Sequence, residues 1–222
     1  MPYRRTENVT RKLAARRAAI LAAARVLAAE GGMGAVQIAP VAERAGIAAG
    51  TVYRYFQSKI ALVSALVEAL AEQEIAALPR AGDAAPGPLS ALAAAITAFA
   101  ARALGSRRLA FALIAEPVEP EIDVARVSYR RALAGAFEAR IRTALAGGHL
   151  PDQDAAVAAP ALVGALIEGL IGPLARNAAD SGAARAKVQA LTLFGLRALG
   201  VVDARARGLV VQTAVPAPEQ TN

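Results

Sequence analysis

The chain has 222 residues, a formal net charge of +7, 56% hydrophobic residues and no cysteine. Disulfides and thiolate metal sites are thereby excluded, and a single histidine, His149, gives no basis for another metal site. The apolar residues are mostly Ala and Leu, strong helix formers, and nothing alternates with period two for long, so an all-α protein follows.

The charge is unevenly placed. Residues 1–60 carry ten Lys/Arg against three acids, whereas residues 61–222 carry 15 of each sign. A neutral body with a basic head is the footprint of a protein that docks one end on phosphates. The N-terminus, MPYRRTENVTRK, lacks the apolar run of a signal peptide, and with the absence of cysteine it predicts a cytoplasmic protein.

A first helix is predicted from about Thr10 to Glu30, stopped by Gly31-Gly32, with Leu13, Ile20, Ala24 and Leu27 on its inner face. Arg11, Lys12, Arg16 and Arg17 crowd its first turns. They grip DNA backbone or are simply solvated, and an arm with Arg4 and Arg5 has the composition to enter a minor groove. The stretch Gln37–Lys59, QIAPVAERAGIAAGTVYRYFQSK, then reads as two short helices hinged at Gly46. Val41, Ala42 and Ala45 face inward on the first, Val52 and Phe56 on the second. Gly46 supplies the positive φ that ends a helix and turns the chain, and Ile47 plugs the corner. This is a helix-turn-helix layout, whose second helix enters the major groove. Pro40 is tolerated within the first turn. Ser58 caps a fourth helix reaching about Leu78, with Leu62, Leu66, Leu70 and Ile75 inward.

The segment Pro79–Pro88 is the clearest break and is expected to part head from body. Body helices are predicted near Leu89–Leu104, Arg107–Glu116, Glu121–Ala146, Asp154–Ala175 and Ala183–Leu199, with a tail after Gly200 that frays beyond Val215. The expected organisation is a DNA-binding domain over 1–60, a connecting helix over 61–78, a ligand-binding and dimerisation domain over 79–200, and a partly disordered tail over 201–222.

From Ala42 to Lys59 the chain, AERAGIAAGTVYRYFQSK, resembles the TetR family of bacterial transcriptional regulators. The Ala-Gly turn, the Gly-Thr-Val-Tyr-x-Tyr-Phe run and the following Lys carry the likeness, over about residues 13–62. Gln37 departs from the pattern, standing where the family usually has a capping Thr. The resemblance implies an all-α homodimer, a palindromic operator, and release of double-stranded DNA when a small molecule enters the body.

Roles follow for the head residues. Ala48, Ala49 and Thr51 open the recognition helix, where Thr bonds a base or phosphate and Ala methyls meet thymine methyls. Arg54 contacts guanine or phosphate. Tyr53 and Tyr55 pack their rings inward and send their hydroxyls to phosphate, as the resemblance implies; for Tyr55 simple core packing against helix four is an equal alternative. Lys59, at a helix N-terminus, is a phosphate clamp. Gln37 and Arg44, at the two ends of the first helix of the pair, complete the DNA-facing set.

In the body, Phe99, Phe111, Tyr129 and Phe137 either line an apolar cavity or fill the core, with Thr97, Glu116 and Arg130 as polar groups that could orient a ligand. Residues 155–175 are long enough to span a bilayer, but Glu168, Pro160 and Pro173 argue against it. Here Ala161, Ala165 and Gly169 recur every four residues beside Leu162, Leu166 and Leu170. With Leu191 and Phe194 of the last helix they are the expected dimer face, four helices about a two-fold axis. No catalytic constellation, metal or cofactor is indicated. The leading expectation is a ligand-released repressor; the alternative is a DNA-binding regulator controlled by a protein partner or by abundance.

Overall fold

The structure, a computed structural model, describes residues 3–82, 85–175 and 181–216. The described residues form ten α-helices and no strand: α1 Tyr3–Gly31, α2 Ile38–Arg44, α3 Ala49–Tyr55, α4 Lys59–Gly82, α5 Pro88–Gly105, α6 Arg107–Ile114, α7 Pro120–Ala146, α8 Ala155–Ala175, α9 Ser181–Ala198 and α10 Asp203–Gln212. A 3-10 turn, Met33–Ala35, joins α1 to α2. The protein is all-α, with a three-helix N-terminal head and a helical body.

Local chemistry sets the boundaries that matter for function. Gly46 takes φ 63°, its N–H reaches the Glu43 carbonyl at 3.1 Å, and Ile47 N–H reaches Ala42 at 3.0 Å. This paired closure satisfies the last carbonyls of α2 and turns the chain into α3. Ser58 Oγ accepts from Ala61 N–H at 3.1 Å and so caps α4. Gln37 precedes α2 without a side-chain cap bond; its amide turns back and donates to the Gly34 carbonyl at 3.0 Å.

Three boundaries differ from the sequence-based expectation. α1 begins at Tyr3, so Arg4 and Arg5 lie on helix rather than on an extended arm; their side chains are outside the described residues. α4 runs through Pro79 to Gly82, moving the break to the short link before Pro88; Asp83 and Ala84 are outside the described residues. The segment after Gly200 folds as α10, with Asp203 in its first turn paired to Arg197 and Arg207. The expected break at 177–182 falls largely outside the described residues, as do 217–222.

One continuous apolar core runs from Ile20 of α1 to Leu209 of α10. α4 packs on α5 and α7, α5 on α9, and α7 on α8, while α1 touches both α2 and α6. The first half of α1 stands clear of this core. Leu13, expected to face inward, is 49% exposed because nothing packs opposite it, whereas Ile20 and Ala24 are fully buried. By length and composition α5 and α8 could each cross a membrane, yet over half of the α5 window is buried within the fold.

Candidate nucleic-acid interface and body cavity

The head divides α3 cleanly into two faces. Val52 and Phe56 are buried in the apolar core, leaving Ala48, Ala49, Tyr53 and Arg54 exposed on the outer face with Thr51 half-buried between. Tyr55 packs against the core, but Tyr53 does not; its ring is 52% exposed, because the helix turn that buries Val52 points Tyr53 outward. Arg17 lies over the Phe56 ring with its guanidinium carbon 5.3 Å from the centroid, fixing one cation of α1 at the base of α3.

Two expected DNA contacts are engaged inside the protein. Arg44 meets Glu30 with both ends of its fork, at 2.9 and 3.0 Å, and ties the end of α2 to the end of α1. Lys59 Nζ lies 3.3 Å from Glu119 Oε1, just before α7. The Glu119 carboxyl is held below the usual carboxylate range by its own backbone N–H and by Lys59. A phosphate reaching Lys59 must compete with that carboxylate.

Head and body are clasped nearby. Glu116 accepts from Met33 N–H at 3.2 Å and Gly34 N–H at 3.5 Å, and Arg108 of α6 donates to the Gly31 carbonyl at 2.8 Å. Gly32, at φ 79°, admits these side chains where a Cβ would strike both Arg108 and Glu116. Arg126 and Arg130 of α7 secure the far end of α6. Arg126 donates to the Ala112 and Glu116 carbonyls at 2.5 and 2.6 Å, and Arg130 to Ile114 at 3.3 Å, neutralising the negative end of that helix.

α1, α4, α5, α6 and α7, with Pro216, line a partly open cavity of ≈ 320 Å³. Of the expected lining residues, Phe99 and Tyr129 reach it. The other four do not. Thr97 is buried in a hydroxyl pair with Thr192 of α9 at 2.9 Å, and Thr192 donates onward to Val188. Phe137 fills the core between helices, and Phe111 packs beside the core on another face of α6. Glu116 faces the clasp, where Met33, Lys59 and Glu119 share a separate hollow.

Sequence reasoning missed the cavity's polar residues: Arg25 of α1, Arg80 of α4, and the Glu74–Arg102 pair joining α4 to α5 at 2.9 and 3.1 Å. One signal was present, since Arg25 interrupts the apolar run AAILAAARVLAA.

The expected dimer residues also need correction. Leu162, Leu166, Leu170 and Leu191 are buried in the protomer's own core and are not available to a second copy. Gly169 accommodates α9 of the same chain, since a Cβ there would lie 2.7 Å from Leu191 Cδ2. The exposed stripe of α8 is Val157, Ala161, Gly164, Glu168 and Gly172, with Ala165 half-buried at its edge; Ala190 and Phe194 of α9 are exposed too.

The described residues thus combine a helix-turn-helix head, its second helix turned outward, with a helical body that carries a cavity. Residues 20–66 match the model of bacterial regulatory proteins, tetR family. The HTH-type transcriptional repressor KstR of Rhodococcus jostii (strain RHA1) is 55% identical over 58 residues, and KstR of Mycolicibacterium smegmatis 58% over 52. Each match spans 26% of that repressor's length and 26% or 23% of this chain. The fold is shared more widely. RolR solved with resorcinol superposes with a TM-score of 0.70 at 24% identity, covering 95% of this chain and 100% of that one. FadR from Bacillus subtilis, solved with stearoyl-CoA, gives 0.67 at 19% identity over 83% and 98%.

Proposed function

We propose that the protein is a transcriptional repressor that binds a palindromic operator as a homodimer in the cytoplasm and leaves it when a small apolar or amphipathic ligand fills the body cavity. The observation that carries this reading is the double duty of α6. Leu109, Leu113 and Ile114 wall the cavity, while Arg108 on the same helix and Glu116 just beyond it hold the Gly31–Gly34 turn that leads into α2. A ligand that displaces α6 changes the seating of the head. Solved structures of the same fold with resorcinol and stearoyl-CoA support a ligand in the body.

On the DNA side, Ala48, Ala49, Thr51, Tyr53 and Arg54 meet the major groove, and Lys59, once released from Glu119, clamps a phosphate. The exposed cations of α1 (Arg11, Lys12 and Arg16) add backbone affinity. The exposed stripes of α8 and α9 face their copies across a two-fold axis, setting two recognition helices about one DNA turn, or a multiple, apart.

Titrating the purified chain against its own promoter fragment, with and without a library of small hydrophobic compounds, tests the whole reading. Binding that no compound relieves, with no compound raising the melting temperature, would point instead to control by a protein partner or by abundance.

A further inference from the structure

We infer that the cavity's ligand is an amphipathic carboxylate whose anionic group is received by Arg25. The inference rests on the ligand-binding reading above and names the class of ligand.

Arg25 lines the cavity from α1, and its Nε–H is buried without a partner. A guanidinium is always charged, and leaving a buried N–H unmatched is costly, so Arg25 carries an unmet demand for an acceptor at the cavity wall. The one carboxylate in the lining, Glu74, does not meet it, because Arg102 already occupies both of its oxygens. Arg80 adds a second cation at the wall, leaving the lining at three arginines against one acid. Tyr129 supplies a phenol that burial keeps protonated and so a donor. Gln73 and Ser106 can donate or accept, but the charged groups left unpaired, Arg25 and Arg80, only donate, so the lining favours a ligand that brings an anionic acceptor.

The remaining walls are apolar, chiefly Leu70, Phe99, Leu109 and Leu113. A volume of ≈ 320 Å³ lies at the small end of ligand sites and suits an aliphatic or aromatic body of roughly eight to fifteen heavy atoms. A carboxylate with such a tail satisfies Arg25 with the fork geometry that guanidinium prefers.

The test is calorimetric titration of the full chain with octanoate against octanol, and phenylacetate against 2-phenylethanol, at one salt concentration. In the wild-type chain each acid should bind about ten- to a hundredfold tighter than its alcohol. Arg25→Gln should abolish that preference while leaving alcohol binding unchanged, and Arg25→Lys should restore part of it. Equal binding of acid and alcohol by the wild-type chain overturns the inference and leaves the cavity as a ligand site. Retention of the preference by Arg25→Gln also overturns it. Failure of all four compounds to bind overturns this inference together with the ligand-binding reading.

Discussion

Lys59 and Arg126 show how much of this molecule's behaviour rests on single cations. Lys59 sits where a DNA phosphate is expected, yet Glu119 holds it at 3.3 Å. Lys59→Ala should weaken binding to all DNA sequences alike and lower the salt dependence by about one phosphate contact, whereas Thr51→Val should change sequence preference. Glu119→Gln should raise affinity for every sequence by removing the competitor. Binding titrations at several salt concentrations check all three; an unchanged slope for Lys59→Ala would remove it from the contact set. Arg126 is buried and serves two carbonyls at the end of α6. Its replacement by alanine strands both, and a loss of about 2–4 kcal/mol in denaturant unfolding is expected. At this scale the sequence was only partly readable. Charge and motif single out Lys59 and Thr51 as candidate contacts, but the intramolecular partners of Lys59 and Arg44 lie 60 and 14 residues away, beyond any local pattern.

Among the elements, α8 and α9 give the sharpest contrast between two glycines. Gly169 is in contact with Leu191 of its own chain, whereas nothing lies within 4 Å of the Cβ position at Gly164. Gly169→Leu should therefore overpack the protomer and cost about 1–3 kcal/mol in thermal or chemical unfolding. Gly164→Gln should leave the protomer's fold intact and weaken self-association, as Phe194→Glu should; sedimentation velocity over a concentration series separates these effects. A Gly164→Gln protein that remains fully dimeric would move the two-fold interface elsewhere. Helix existence was legible throughout the head and most of the body, because Ala/Leu periodicity and the Gly46 turn are local signals. Phase was not legible in α8, where apolar residues surround the helix and leave no polar face to orient it. α10 went unrecognised because Arg and Gly break up its short apolar pattern.

The whole molecule is a charged head on a neutral body, and its DNA affinity should inherit that asymmetry. All of the formal +7 lies in residues 1–60. If a dimer makes about six to ten phosphate contacts, its affinity should fall by about 10³–10⁵ between 50 and 200 mM salt. The paired recognition helices should also be strict about spacing. Inserting about five base pairs between operator half-sites turns one site to the opposite face of the duplex and should abolish binding, while a full-turn insertion should restore part of it. Electrophoretic mobility shifts on spaced operators read this directly. The helix-turn-helix and its charge are local features legible in the sequence, whereas the cavity is not, because its walls come from five helices distant in sequence.

Arg25, near the start of the chain, and Pro216, near the end of the described residues, line the same cavity. The cavity lining thus draws on almost the full length of the polypeptide. Long-separated contacts are costly to form early, so this chamber should be completed late in folding, after the helix-turn-helix has consolidated. Under the proposed function, newly made protein would then bind DNA before it can respond to a ligand.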